Sequence, residues 1–202
     1  MKKHIRFKNL LGLTIIFLAG YPGLLRAQDT YKVGPSADPE VKVLGTSNLH
    51  NWSLEAKSLS CSAKFNFGPG SAAQPQSLTA LSLSIPIQNL KSGESLMDSR
   101  AYSAMKADKF TTITYVSSSA SIVPAPKGQF LVKSTGNLTI SGVTRPVALD
   151  VSCQVNPDGS ITCTGSDKLK MSDYQIKPPV FMLGALRTGD ELEIDFALVF
   201  KK

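Results

Sequence analysis

The chain has 202 residues and a formal net charge of +7, with 22 Lys and Arg against 15 Asp and Glu. Five of the basic residues and none of the acidic ones precede position 28, so the rest of the chain carries only about +2. That remainder has no stripe of basic residues with aromatic residues between them, which excludes nucleic acid as an expected partner.

The first 27 residues have the pattern of an export signal. Basic residues precede an apolar run over 10–19, and Ala27 is a small residue at a plausible cleavage point. The run is too short, and too soon interrupted by Gly20, for a permanent membrane anchor. We therefore expect residues 1–27 to be cleaved, residues 28–202 to form one domain, and the protein to be periplasmic or secreted.

Apolar residues at every second position predict strands along most of the chain, because successive side chains of a strand point to opposite faces. In chain order the strand-like segments are 41–47, 59–67, 81–87, 111–116, 130–132, 138–140, 147–155, 161–171 and 191–200. The last, ELEIDFALVF, is the clearest, with apolar residues alternating from Leu192 to Phe200. About eight strands predict an all-β fold, an antiparallel barrel or sandwich.

The segment 95–109 breaks this alternation and predicts one short helix. Apolar residues recur there at helical spacing, at Met97, Ala101, Ala104 and Met105. Ser95 followed three residues later by Asp98 matches a capping box, in which the hydroxyl accepts from an orphan N–H and the carboxylate reaches back to the cap. A lone helix between the strands of a barrel would lie over an open end.

Two reversals agree with antiparallel strands. NPDG (156–159) predicts a three-residue hairpin loop in which Asn156 pairs with Ser160. SGVTRP (141–146) predicts the other reversal, with Pro146 entering the next strand at its edge.

Three cysteines in an exported protein raise the question of a disulfide. The hairpin register places Cys153 opposite Cys163, which favours this pair among the three pairings. The alternative is that all three cysteines are buried thiols that pack as small hydrophobic residues.

His50 is the only histidine that remains after the expected signal. Any Ser–His–Asp or Cys–His chemistry would use it, yet the chain has no G-x-S-x-G elbow and no metal-ligand spacing, so we expect no catalytic and no metal site. A loop histidine hydrogen-bonded to the backbone is the favoured interpretation, and a His50-dependent hydrolase is the third functional hypothesis. Trp52, close to His50, is either a core residue or part of the mouth of a cavity.

GNLTISGVTRPVALDV (136–151) resembles the G-x-L-T-[IL]-x-G-V-T-[RK]-P-V signature of the YceI-like family. The segment 84–115 is similar to the family's strand, helix and following strand, and 191–200 is similar to its closing strand. The resemblance therefore covers most of 38–200. SNLHNW (47–52) and 170–190 are typical of a divergent subgroup. The resemblance implies an exported bacterial protein with a lipocalin-like antiparallel barrel that binds polyisoprenoid lipids.

On this resemblance, the apolar faces of the strands would surround an elongated cavity, and an eight-stranded barrel is wide enough for one slender ligand. We therefore expect a non-enzymatic carrier of an isoprenoid lipid or quinone, with no other cofactor, driven by burial of apolar chain. The expected lining is Trp52, Phe65, Leu83, Ile85, Leu138, Ile140 and Phe196, with Met97, Met105 and Phe181 as adaptable cover near the opening.

A barrel whose core is filled by its own side chains is the alternative. Such a protein would bind no lipid and would act through an exposed apolar patch, as a periplasmic interaction or stress-response module.

Overall fold

The computed structural model describes residues 29–34, 41–68, 74–126 and 129–202; the expected signal, 1–27, lies outside them. The helix α1 spans Ser95–Ala104, and short 3-10 turns lie at Ile87–Asn89, Met171–Tyr174 and Met182–Gly184. The strands are β1 (Asp29–Val33), β2 (Val41–Ser47), β3 (Trp52–Ala56), β4 (Ser60–Phe67), β5 (Pro75–Pro86), β6 (Leu90–Lys91), β7 (Thr112–Pro124), β8 (Gln129–Ile140), β9 (Val143–Val155), β10 (Ile161–Lys170), β11 (Val180–Phe181) and β12 (Leu186–Lys201).

Eight of these strands form a closed antiparallel barrel in the order β1-β4-β5-β7-β8-β9-β10-β12. The ring closes where β1 pairs with the end of β12, and Val33 lies opposite Phe200. The earlier part of β12 pairs instead with β2, which continues through β3 to β6. The predicted fold class, an antiparallel barrel of about eight strands with one short helix, is confirmed.

One end of the barrel is filled by four aromatic side chains, which we call the aromatic cluster: Tyr31, Phe65, Phe130 and Phe200. The ring of Phe65 meets the other three edge to face, with centroid distances of 5.6, 6.3 and 6.3 Å. All four side chains are buried. Edge-to-face pairs at these distances are favourable beyond the area they bury, so the cluster is a closed floor.

The hairpin between β9 and β10 has the predicted register. The Asn156 N–H donates to the Ser160 carbonyl at 2.8 Å, and Gly159 has a φ of +80° in the left-handed position. Cys153 then faces Cys163, and a disulfide joins the two. The pair is buried beside the aromatic cluster.

The predicted end of the helix and the predicted extent of the 141–146 reversal are wrong. Helix α1 ends at Ala104 because Lys106 adopts a left-handed conformation, φ +53°, and the chain turns there. The reversal occupies only Ser141 and Gly142, whose φ angles of +51° and +77° form a tight two-residue turn. Pro146 therefore lies inside β9 and not at its entrance.

The capping box predicted for Ser95 and Asp98 is also wrong. The residue before the helix is Glu94, and Ser95 is the first helical residue. The Asp98 carboxylate instead accepts hydrogen bonds from the N–H and the hydroxyl of Ser92, each at 2.7 Å. As in a capping box, the carboxylate accepts from a backbone N–H that precedes the helix, but this N–H belongs to Ser92 and not to the capping residue Glu94.

The disulfide generates a stability prediction. It closes a short loop, with a sequence separation of 10, so its loss in the C153A/C163A double variant should cost about 2–3 kcal/mol of unfolding free energy. Urea unfolding with and without a phosphine reductant tests this. Reductant should lower the midpoint of the parent protein and leave the double variant unchanged; a parent midpoint insensitive to full reduction would contradict the prediction.

Candidate functional site

A cavity of about 360 Å³ lies inside the barrel between the aromatic cluster and α1. Its volume falls within the range of small-molecule sites in proteins. The wall consists of the inward-facing residues along neighbouring strands, among them Leu81, Leu83, Ile85, Ile113, Leu138, Ile140, Leu192 and Ile194. The barrel interior is thus filled at one end and hollow at the other.

All ten residues predicted to bind a ligand border this cavity: Trp52, Phe65, Leu83, Ile85, Met97, Met105, Leu138, Ile140, Phe181 and Phe196. Phe65 belongs to the floor, whereas Met97 and Met105 reach in from α1 and Phe181 lies in β11 near the opening. The structure brings the predicted set together, and contact with a ligand stays a prediction.

Helix α1 presents to the cavity a face that is apolar except for Arg100. The cavity-lining residues of this segment are Met97, Arg100, Ala101, Ala104 and Met105. The opposite face is exposed at Leu96, Ser99 and Ser103. The helix therefore covers the hollow end of the barrel with small residues and methionines, side chains that leave space and repack easily.

A buried carboxylate ties the first turn of α1 to the end of β6. Asp98 accepts from Ser92 and lies 3.7 Å from the Lys91 ammonium, and only 8% of the residue is exposed. Burial by itself raises the pKa of Asp98, but the hydrogen bonds from Ser92 and the charge of Lys91 outweigh it, so the pKa lies below its ordinary value of 3.8. The carboxylate is therefore ionised at neutral pH.

Further polar contacts hold the rest of the helix. The Tyr102 hydroxyl lies within hydrogen-bond distance of the carbonyls of Gln88, 2.9 Å, and Leu90, 2.7 Å. At the far end, the Ser141 hydroxyl donates to the Met105 carbonyl at 2.9 Å.

The turn between β8 and β9 also contacts the segment after α1. The Phe110 ring packs where a Cβ on Gly142 would lie, so this tight turn needs glycine for contact as well as conformation. Both ends of α1 are therefore anchored.

Polar groups also border the cavity. They are Ser47, His50, Glu94, Arg100, Asp167 and Thr188. Asp167 lies in the wall itself, opposite Ile194 on the neighbouring strand. The Arg100 guanidinium lies 4.0 Å from the centroid of the Phe181 ring, a cation–π contact that links α1 to β11. Sequence reasoning missed Arg100 as a cavity residue, although its position three residues after Met97 and four before Ala104 places it on the same helical face.

His50 has the hydrogen bonds expected of a loop residue. Its Nδ1 lies 2.7 Å from the Asn51 carbonyl oxygen, and its backbone N–H donates to the Ser47 hydroxyl at 3.1 Å. The Ser47 hydroxyl in turn donates to the His50 carbonyl at 2.8 Å. Within 29–34, 41–68, 74–126 and 129–202 no group of three His, Cys, Asp or Glu could hold a metal ion. Nor does any helix in these ranges have the length and apolar content to cross a bilayer.

Trp52 combines both roles that the sequence left open. Its indole N–H donates to the Thr46 carbonyl at 3.0 Å, and its ring lies against Gly45 on the neighbouring strand, at a position that a Cβ would occupy. The same ring borders the cavity. Because its donor is already used by the backbone, Trp52 offers a ligand an apolar surface only.

The barrel wall is hydrogen-bonded over only part of the seam between β9 and β10. These two strands pair from Val155 and Ile161 as far as Ser152 and Thr164, and then diverge. Pro146 lies in the diverging part of β9 and has no N–H to donate. The segment 171–176 covers this side, with Met171, Tyr174 and Ile176 buried and the Asp173 carbonyl accepting from Arg145 Nε at 2.9 Å.

Comparison with known proteins places this geometry among related folds. Residues 38–200 match the model of the YceI-like domain. The structure is similar to a polyisoprenoid binding domain from Saccharophagus degradans implicated in plant cell wall breakdown, with a TM-score of 0.64, 14% identity, and 87% of this chain and 99% of that one covered. It is also similar to BcnA from Burkholderia cenocepacia, with a TM-score of 0.59, 24% identity, and coverage of 80% and 99%.

A third similar structure is the YceI protein of Campylobacter jejuni, with a TM-score of 0.53, 19% identity, and 100% and 99% of the two chains covered. No sequence among the curated proteins matches. At these identities the solved structures support the fold.

The anchor of α1 generates a pH-dependent prediction. Asp98→Asn should destabilise the protein by about 1–2 kcal/mol at pH 7, because the amide cannot replace the charged acceptor of the Ser92 hydrogen bonds. The pKa of Asp98 is lower in the folded protein than in the unfolded chain. Its contribution to the unfolding free energy is therefore complete above the unfolded pKa and disappears as pH falls through the folded pKa, which lies below 3.8.

Urea unfolding over a pH series measures the difference between the two proteins. The matched control is Asp108→Asn, the same change at an exposed residue of the turn that follows α1. A difference that stays constant with pH, or an equal effect of the control, would contradict the role of Asp98.

Proposed function

The chain belongs to the YceI-like family, and from this membership and its half-hollow barrel we propose that it is a non-enzymatic binding protein that carries an isoprenoid lipid or quinone. The observation that carries the proposal is the apolar cavity with an aromatic floor and a helix across its other end. Each CH₂ group of a ligand buried there would contribute about 0.8 kcal/mol.

The distribution of polar groups sets the orientation of the ligand. The floor consists of aromatic rings, whereas His50, Glu94 and Arg100 border the mouth. An amphiphile with one polar end would therefore place its apolar chain against the aromatic cluster and its head group among these three residues. The guanidinium of Arg100 favours a head group with acceptor oxygens, as in a quinone carbonyl or a prenyl alcohol.

Two further observations support the isoprenoid class and the location. The similar domain from Saccharophagus degradans is described as polyisoprenoid binding. The export pattern of residues 1–27 and the Cys153–Cys163 disulfide both fit an oxidising compartment, which favours the periplasm or the exterior.

The first experiment is native mass spectrometry of the protein purified from its own host, followed by solvent extraction and lipid analysis. A stoichiometric extra mass released as an isoprenoid or quinone would support carriage and identify the cargo. A bare mass that stays unchanged after incubation with geranylgeraniol and with ubiquinone would overturn the proposal and favour the alternative of an interaction module.

A variant that fills the cavity tests the site directly. Ala101 lines the cavity from α1, so Ala101→Trp should weaken geranylgeraniol binding about ten-fold or more, a loss of about 1.4 kcal/mol. Ala197→Trp is the matched control, because Ala197 is exposed on the outer face of β12. Titration followed by native mass spectrometry measures both. Equal affinities of the two variants would exclude the cavity as the binding site.

A further inference from the structure

Three large apolar side chains project into solvent beside the mouth of the cavity. The solvent-accessible area relative to a fully exposed residue is 73% for Leu49, 78% for Met182 and 110% for Leu183, which is thus completely exposed. We call these three residues the apolar tip. Isolated exposed apolar residues are common, but three large ones grouped at one opening require an explanation.

Hydrogen bonds hold the two loops of the apolar tip together. The Asn48 side-chain amide donates to the Ala185 carbonyl at 2.7 Å and accepts from the Arg187 N–H at 2.9 Å. The Asn48 N–H donates to the Arg187 carbonyl at 3.1 Å. Because Ser47, His50, Phe181 and Leu186 border the cavity, the residues between them flank its entrance.

The backbone of the tip is held in a conformation that apolar residues rarely adopt. Met182 and Leu183 have φ angles of +52° and +53°, followed by Gly184 at +96°. A left-handed conformation is unfavourable for side chains of this kind. The turn thus maintains a strained backbone while it displays two apolar side chains to water.

The segment that carries Met182 and Leu183 is basic. The segment from Lys177 to Arg187 contains two basic residues and no acidic one, and both basic residues are exposed. Arg100 adds a third cation over Phe181. The neighbouring carboxylate of Asp190 accepts hydrogen bonds from the N–H and hydroxyl of Ser172, at 2.8 and 2.6 Å. Exposed apolar side chains on a segment whose only charges are basic match the surface of an anionic bilayer.

We propose that the mouth of the barrel docks on an anionic lipid bilayer, with the apolar tip inserted among the acyl chains and Lys177 and Arg187 against the lipid phosphates. A second copy of the chain fits less well, because a symmetric contact would bring the same cations together. The inference rests on the proposed carrier function in one respect: a docked mouth would let a lipid pass between bilayer and cavity without crossing water.

Sedimentation with vesicles tests the docking. The mature protein is mixed with vesicles of phosphatidylcholine alone or with a quarter of phosphatidylglycerol. We expect binding to the anionic vesicles, and a loss of roughly five-fold or more for Leu183→Glu and for the K177E/R187E double variant. The matched controls are Val123→Glu and the K64E/K201E double variant, at exposed residues near the aromatic end of the barrel. Thermal unfolding shows that all variants are folded.

Two results would overturn the docking proposal: absence of vesicle binding by the parent protein, or equal losses in the controls. A concentration-dependent dimer that Leu183→Glu abolishes would also overturn it, in favour of a second copy.

Ligand binding without vesicles separates this proposal from the carrier function. Leu183→Glu should retain the parent affinity for geranylgeraniol in native mass spectrometry, because Leu183 does not border the cavity. Binding of geranylgeraniol without vesicle binding overturns the docking and leaves the carrier function standing. Vesicle binding by a protein that takes up neither geranylgeraniol nor ubiquinone supports the docking and overturns the carrier function.

Discussion

The edge-to-face packing of the aromatic cluster is the interaction on which the rest of the molecule depends. The direct pairing of β1 with β12 is short, and the two strands contribute Tyr31 and Phe200 to the cluster. Aromatic pairs of this geometry contribute about 0.5–1.5 kcal/mol each beyond the area that they bury. The cluster therefore stabilises the closure of the barrel, to which β1 and β12 contribute few backbone hydrogen bonds. It also closes the cavity at this end of the barrel.

The stretch 136–151 connects three parts of the site. Leu138 and Ile140 project into the cavity, while Ser141 and Gly142 form the turn that binds the end of α1 through Met105 and Phe110. Farther along, Pro146 lies in the part of β9 that does not pair with β10, and it has no N–H to donate. Wall, helix anchor and the unpaired seam thus follow from one short segment, so a substitution there would alter several properties at once.

The sequence predicted those features that depend on local periodicity. Alternation in 191–200 correctly placed Leu192 to Phe200 on the inner face, and the NPDG loop predicted the register of Cys153 and Cys163. Features that depend on a single backbone conformation were missed. The end of α1 is set by the left-handed Lys106, and the tip turn by the left-handed Met182 and Leu183, residue types that give no signal for such angles. Strand β7 extends through SSSAS, where no apolar alternation exists, because its neighbours supply the pairing.

The anchors of α1 bear on how a ligand would enter. Both ends of the helix are tied by polar contacts, at Asp98 and Tyr102 on one side and Ser141 on the other. Across the mouth, α1 contacts β11 through the Arg100–Phe181 pair, and a cation–π contact that is partly exposed is weaker than a buried charged hydrogen bond. Movement of the two loops of the apolar tip as one unit, with Phe181, would therefore open the cavity without breaking the Asn48 hydrogen bonds between them or the polar anchors of the helix. On the proposed function, the segment that touches the bilayer and the segment that admits the lipid are the same.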